Sequence, residues 1–365
     1  MSDPLRNVQR LLVRAPNWLG DAVMALPALE AVRRAFAGRT VILAGLSSIV
    51  PIFQEQTGAA PDEILSIDRA NEVAQLKAAR ADAVLLLTNS FGSAWRASRS
   101  GAAERWGYRA AGRGWLLTRG VATPRRVHQV QYYLELVRRL GLEVPSESGP
   151  GAEALGEDAL GEDALGADAL GADALAKAAP RIDPSPATLD KADTVLAGAG
   201  LAAGARIVGF APGAAYGHAK QWPPDRVAQV IAALSRRGVA SVMVGTGADR
   251  DTGRAIESSL PPDARVVNLI GRTTLRQLVG VVARCAAFVS NDSGAMHVAA
   301  ALGVPLTAIF GPTDERVTAP GGRADLIVSN VFCRPCLLRE CPIDHRCMKR
   351  IDVDTVVRSV AGHLA

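Results

Sequence analysis

Short apolar runs alternate with amphipathic stretches along this chain, and the alternation occurs twice. In the first half, residues 10–15, 40–43 and 83–87 read as strands and residues 21–36 as a helix. In the second half, strands at 206–210, 241–244, 287–290 and 306–309 are separated by helices at 225–237, 275–283 and 294–302. Strands that take turns with helices build parallel sheets, because a parallel neighbour needs a long crossover and the helix supplies it. The pattern therefore predicts an α/β chain of two doubly wound domains. Their ligands are expected beyond the C-terminal ends of the strands and between the domains. The 365 residues are enough for two separate cores.

A low-complexity segment divides the halves. Gly156-Glu157-Asp158-Ala159-Leu160 recurs at 161, 166 and 171 as Gly-x-Asp-Ala-Leu. A five-residue step turns about 140° round a helix, so the leucines form no single apolar stripe. Each glycine also costs roughly 1 kcal/mol of helix propensity. The segment reads as a solvated linker or surface insertion. The expected organisation is an N-terminal domain at 1–150, the acidic insert and linker at 151–195, a C-terminal domain at 196–352, and a terminal helix at 353–365.

Charge narrows the partners. The repeat region holds seven acids and no base between 151 and 175; setting them aside raises the formal balance from +5 to +12. A basic folded part favours anionic partners such as phosphates, nucleic acid or an anionic lipid surface. Asp21 and Glu30 interrupt what would be the apolar core of a secretory leader. The longest uncharged window, 293–313, is broken by His297, Gly303-Val304-Pro305 and Gly311-Pro312. A cytoplasmic chain without a membrane span is expected, and its five cysteines exclude a disulfide-stapled mini-protein.

Three turns carry candidate chemistry. Ala15-Pro16-Asn17-Trp18-Leu19-Gly20-Asp21 joins the first strand to the first helix. Locally, Asp21 is best read as a helix N-cap; the functional alternative is a general base facing the ligand. Pro212-Gly213-Ala214-Ala215-Tyr216-Gly217-His218-Ala219-Lys220-Gln221-Trp222-Pro223 lets backbone approach an anion, and Lys220 offers a point charge to a phosphate. It lacks the Walker spacing, and its plain reading is a loop with a solvated lysine. Asn291-Asp292-Ser293-Gly294-Ala295-Met296-His297 opens an apolar helix, whose N-terminus is an anion site. Asp292 or Ser293 could simply cap that helix, and His297 could be a satisfied core side chain. Like charges keep Asp292 off a diphosphate, which leaves it a cap or an acceptor for a sugar hydroxyl. Gly311-Pro312-Thr313 ends the neighbouring strand.

In their order and spacing these motifs carry a resemblance. Arg14-Ala15-Pro16-Asn17-Trp18-Leu19-Gly20-Asp21, Asn89-Ser90-Phe91-Gly92-Ser93-Ala94, Pro212-Gly213-Ala214 with Ala219-Lys220-Gln221-Trp222-Pro223, the 291–301 stretch and Phe310-Gly311-Pro312-Thr313 resemble the ADP-heptose:lipopolysaccharide heptosyltransferases of glycosyltransferase family 9, nearest the heptosyltransferase II branch. The resemblance implies a GT-B architecture, two Rossmann-like doubly wound domains facing a cleft, with the acceptor on the first and the nucleotide sugar on the second. It implies an inverting transfer of heptose from ADP-heptose to a heptose of the phosphorylated lipopolysaccharide inner core. Asp21 then serves as base and Lys220 binds the donor diphosphate, so these two form the catalytic pair. The implied donor set is Gly213, Ala214, Lys220, Asp249, Asn291, Asp292, Ser293, Gly294, His297, Gly311, Pro312 and Thr313, with Asp249 as an acidic ribose ligand. The implied acceptor set is Asn17, Gly20, Asn89 and Ser90, with Arg96 and Arg99. No cofactor is needed for such chemistry. The enzyme is expected at the cytoplasmic face of the inner membrane, in peripheral contact with its anionic surface and without nucleic acid.

Two features stand outside that set. Cys333, Cys336, Cys341 and Cys347 lie within 15 residues, a density that suits a structural zinc or an iron–sulfur cluster, though free thiols fit equally. Cys285 stands alone and reads as core. The plain reading of the run Trp95, Arg96, Arg99, Arg105, Trp106, Tyr108, Arg109, Arg113, Trp115 and Arg119, with Arg125 and Arg126 beyond, is a solvated basic face. The preferred one is an acceptor site for phosphorylated, carboxylate-bearing inner-core lipopolysaccharide at the membrane surface, since arginine forks suit carboxylates and phosphates. Nucleic-acid binding is the rival reading of that run, and a sugar-nucleotide epimerase or hydrolase is the rival for the chain.

Overall fold

The computed structural model describes residues 7–144, 178–202 and 204–365. The acidic repeat, and the boundary expected at 150, lie outside the described residues. The chain divides into two compact units, Met1–Pro180 and Arg181–Ala365.

Unit 1 is built on six parallel strands: β1 (Arg10–Arg14), β2 (Thr40–Leu46), β3 (Glu63–Ile67), β4 (Ala83–Leu86), β5 (Glu104–Tyr108) and β6 (Arg119–Val121). They lie in the order β3-β2-β1-β4-β5-β6. Unit 2 repeats the plan with β7 (Ile207–Ala211), β8 (Ala240–Met243), β9 (Val266–Asn268), β10 (Ala287–Asn291), β11 (Leu306–Phe310) and β12 (Ala324–Val328), in the order β12-β11-β10-β7-β8-β9. Read from the opposite edge, that is the same order. Both are the doubly wound Rossmann arrangement, in which successive crossovers leave the first strand in opposite directions. The central strands are apolar on both faces, as helices on either side require. Leu11, Leu12 and Val13 of β1 and Ala287 and Phe288 of β10 are fully buried.

The helices of unit 1 are α1 (Leu19–Met24), α2 (Leu26–Ala35), α3 (Glu72–Ala78), α4 (Phe91–Ser98) and α5 (Gln129–Arg139). The single helix expected at 21–36 is two, meeting at Ala25. Pro27 sits in the first turn of α2, where its missing N–H does no harm, whereas its ring would oppose a helix continuing from Val23. In unit 2 the helices are α6 (Pro186–Gly198), α7 (Pro224–Ser235), α8 (Arg250–Ser258), α9 (Leu275–Ala283), α10 (Gly294–Ala301), α11 (Glu315–Thr318), α12 (Arg346–Lys349) and α13 (Val353–Leu364). The terminal helix is no appendage. Val356, Val357, Val360 and Leu364 of α13 share one core with Phe210, Val289 and α7, and Cys347 and Met348 join it.

This topology positions the candidate site. In each sheet the order reverses between two neighbouring strands, β1 and β4 in unit 1 and β7 and β10 in unit 2. The loops that leave the C-terminal ends of those four strands are the ones that carry the motifs at 15–21, 89–94, 212–223 and 291–297. Among the described residues no helix is long and apolar enough to cross a membrane.

Candidate active site

Unit 1 presents Asp21, and not as a cap. Trp18 holds the N-cap position of α1 without a side-chain cap bond, and Asp21 is in the first turn, half-buried. The cap reading favoured locally is therefore overturned. Across from Asp21 stand the tyrosines of α5. Burial, and to a lesser degree the charge of Asp21, raises the phenols of Tyr132 and Tyr133. Asn89 Nδ2 donates to the Tyr132 hydroxyl at 2.8 Å, which ties the loop after β4 to the same helix. Ser90 caps α4, its Oγ accepting from Ser93 N–H at 3.2 Å.

Buried charges hold these loops, and one of them, Glu72, was missed in the sequence. Arg14, only 2% exposed, donates from Nε to Glu72 Oε1 at 2.8 Å, from Nη1 to Ala15 O at 2.7 Å and from Nη2 to Asn17 Oδ1 at 3.0 Å. Glu72, 1% exposed, opens α3 and also faces Arg96, whose Nε lies 2.8 Å from Oε2 without the angle of a hydrogen bond. One carboxylate thus joins the loop after β1 to the arginine expected at the acceptor site. Glu72 sits in no recognisable motif, so only the fold reveals it. Arg113 corrects the reading of the basic run as a solvated face. It is 0% exposed and donates to Tyr108 O at 2.9 Å, Thr88 O at 2.5 Å and Ser93 Oγ at 3.2 Å. Desolvation lowers its guanidinium to about 10. Trp106 and Tyr108 are fully buried as well, because this stretch contains β5. Only part of the run reaches solvent, with Trp115 75% exposed and Arg99 stacked 5.2 Å from the Trp95 ring centroid.

Unit 2 presents Lys220. Its Nζ donates to Asp292 Oδ2 at 2.6 Å, and Thr313 Oγ1 donates to the same oxygen at 2.7 Å. The side chains of Lys220 and Asp292 are 13% and 6% exposed, so this lysine is not the solvated one of the plain reading. A lysine ammonium has three donors, and one bond to Asp292 leaves two for an anion. Asp292 is neither a cap nor solvent-facing. Ser293 holds the N-cap position of α10, and no side chain caps its first turn, which begins at Gly294. Asn291 ties the loops together, with Nδ2 donating to Pro212 O at 2.7 Å and Oδ1 accepting from Trp222 N–H at 3.2 Å. Asp249 accepts from Thr246 N–H and Oγ1, both at 2.8 Å, and packs on Gly213 and Gly245. A Cβ at Gly213 would lie 2.0 Å from Asp249 Oδ1, so a side chain there would displace the Asp249 carboxylate. His297 is buried in α10.

Among the described residues no group of three or more His, Cys, Asp or Glu side chains is arranged to hold a metal ion. Cys333, Cys336 and Cys341 lie near enough to Cys347 to raise its thiol electrostatically, after the larger effect of burial. Cys285 is core as expected, with its thiol pushed up to about 12 by burial.

The model of glycosyltransferase family 9 (heptosyltransferase) matches residues 71–346. The chain belongs to that family. The family-9 match takes in Glu72, Asn89, Lys220 and Asp292 and begins after Asp21. Lipooligosaccharide heptosyltransferase 2 of Haemophilus influenzae is 43% identical over 116 residues, covering 31% of this chain and 34% of that relative. The Campylobacter jejuni (serotype O:6) counterpart is 32% identical over 161 residues, covering 43% of this chain and 51% of its own length. The matched stretches thus span from about a third to about half of these relatives. The solved structure of E. coli ADP-heptose lps heptosyltransferase II has a TM-score of 0.76 at 25% identity, covering 97% of this chain and 98% of that one. A glycosyl transferase family 9 structure from Veillonella parvula gives a TM-score of 0.77 at 20% identity, over 98% and 97% of the two chains. The two Rossmann-like sheets are accordingly those of the GT-B heptosyltransferases.

Proposed function

We propose that this family-9 chain is an inverting heptosyltransferase that moves L-glycero-D-manno-heptose from ADP-heptose to a heptose of the lipopolysaccharide inner core. The observation that carries the reading is the buried Lys220–Asp292 pair beside the uncapped N-terminus of α10, at the switch point of the second sheet. An ammonium with two donors in reserve and a helix N-terminus together suit a diphosphate. Asp292, already shared by Lys220 and Thr313, positions the cation and does not face the anion itself. Gly213, Ala214, Asn291, Ser293, Gly294, His297, Gly311, Pro312 and Thr313 build the surrounding donor loops. Asp249 braces Gly213 and Thr246 with the carboxylate assigned to the ribose.

In the proposed step Asp21 takes the proton of the acceptor hydroxyl as that oxygen bonds to the anomeric carbon. The bond from that carbon to the donor phosphate breaks on the opposite face. ADP leaves with the electron pair, its growing charge met by Lys220 and α10. Asn17, Gly20, Asn89 and Ser90 line the acceptor side, and Arg96 and Arg99 meet its phosphates.

The acceptor is a lipid, and we place the protein at the cytoplasmic membrane surface. Residues 88–126 hold eight arginines and one acid, and of the arginines Arg99, Arg109, Arg125 and Arg126 are exposed while Arg113 is buried. Phe91, Trp95 and Trp115 are exposed there, with the Phe91 and Trp115 ring centroids 6.1 Å apart. Apolar rings among arginines suit an anionic headgroup layer. The decisive test incubates the protein with ADP-heptose and defined truncated core acceptors and reads the products by mass spectrometry. Addition of one heptose, only when both substrates are present, is the expected result. Consumption of donor without acceptor would favour an epimerase or hydrolase instead.

A further inference from the structure

We infer that residues 331–341, which carry three of the cysteines, form a strap that completes the donor pocket, and that Arg334 on it is a positioning residue for Lys220. The inference rests on the donor reading of Lys220.

The strap bonds to both donor loops. Ala219 N–H donates to Arg339 O at 2.9 Å, and the Tyr216 hydroxyl donates to Leu337 O at 2.7 Å. Leu337 N–H in turn donates to Pro312 O at 2.9 Å. The fit leaves no slack. A Cβ at Gly217, where φ is +158°, would lie 2.3 Å from Arg339 O and 2.8 Å from Arg339 Cα, so the loop after β7 cannot take a side chain where it meets the strap.

Arg334 links this strap to the lysine. Its side chain is 8% exposed, and it donates from Nε to Gly311 O at 2.5 Å and from Nη2 to Thr313 O at 3.0 Å. Nη2 also pairs with Glu315 Oε2 at 2.6 Å. The fork therefore fixes the backbone on both sides of Pro312. Thr313, held by its carbonyl, gives its hydroxyl to Asp292 Oδ2, the oxygen that also holds Lys220. The path from Arg334 to the ammonium is thus Thr313, Asp292, Lys220, with each link a bond of 2.6 to 3.0 Å. A lysine has four rotatable bonds, and ordering it before the anion arrives removes that entropic cost from binding. A planar fork reaching two carbonyls and a carboxylate is a task lysine cannot copy with one point charge.

The test measures ADP binding by calorimetry and, separately, the kinetics of transfer. Arg334→Ala is expected to weaken ADP about tenfold or more and to raise the donor KM in parallel, with the acceptor KM unchanged. Arg334→Lys should recover only part of the loss. Glu315→Gln keeps the guanidinium and loses only its ion pair; it should weaken ADP by a smaller factor and serves if Arg334→Ala fails to fold. Folded variants that bind ADP as tightly as the parent would overturn the inference. So would a lowered melting temperature with donor and acceptor KM both unmoved, which marks a brace and no more. A parent protein that binds no ADP at all would overturn the donor reading itself and this inference with it.

Discussion

The two units share one strand order, and at the same place in each sheet they carry opposite chemistry. At the switch point of unit 1, buried guanidinium groups hold the loops: Arg14 the turn after β1, and Arg113 the turn after β4. The group those loops present is a carboxylate, Asp21. At the switch point of unit 2 the buried organisers are Asp292, Asn291 and Asp249, and the group presented is an ammonium, Lys220. The sheets make a crevice in either case; the sign of the charge in it comes from the loops and from what is buried beneath them. On the proposed reading, the same fold serves a base in unit 1 and an anion site in unit 2, because function lies in the loops a fold carries.

The largest expected effect separates the two halves. Asp21→Asn keeps size but removes the base, and turnover should fall by roughly 10²–10⁴-fold, the range of general-base catalysis. ADP affinity measured by calorimetry should stay at the parental value, since that belongs to unit 2. Lys220→Ala should do the reverse and weaken ADP first. If Asp21→Asn also weakens ADP, the division between the units fails.

Next comes the wiring of unit 1. Glu72→Gln would leave the Arg14 guanidinium buried without its carboxylate, a loss of about 3 kcal/mol in urea unfolding by analogy with broken buried pairs. The acceptor KM should rise with it, as Arg96 loses its anchor. An unchanged unfolding midpoint would show that Arg14 does not depend on the pair. Unit 2 offers a smaller, chemical contrast. Ellman's reagent at pH 8 should modify Cys333, Cys336 and Cys341 in the folded protein, while Cys285 waits for denaturant. Its Sγ donates to Val281 O at 3.2 Å and its thiol is raised to about 12. The smallest effect is expected from the acidic repeat. Removing residues 156–175 should leave melting temperature and transfer nearly unchanged, because leucines stepping round by about 140° present no stripe to either core.

The fold was largely legible in the sequence. Helix 275–283 and the central strands lie where apolar periodicity puts them, since those strands are buried on both faces and read as unbroken apolar runs. Three edge strands, and β5 beside the edge strand β6, did not announce themselves. β3, β9 and β12 are half-exposed, and β5 spells Glu-Arg-Trp-Gly-Tyr, with charges that look solvated until Trp106 and Tyr108 turn inward.

By itself, then, the sequence determined an α/β chain of two doubly wound units, the family, and the four loops at which chemistry is concentrated. Local periodicity and short-range motifs carry all of that, because a strand, a turn and a helix start are each decided within a few residues. Tertiary structure alone decided that Asp21 is no cap, that Lys220 is held by Asp292, that Glu72 serves two arginines, and that the cysteine segment straps the loops after β7 and β11. For Arg14 with Glu72, Lys220 with Asp292 and Tyr216 with Leu337 the partners lie 58, 72 and 121 positions apart along the chain. No window of sequence contains both partners. The burial that gives each contact its strength exists only once the sheets have formed.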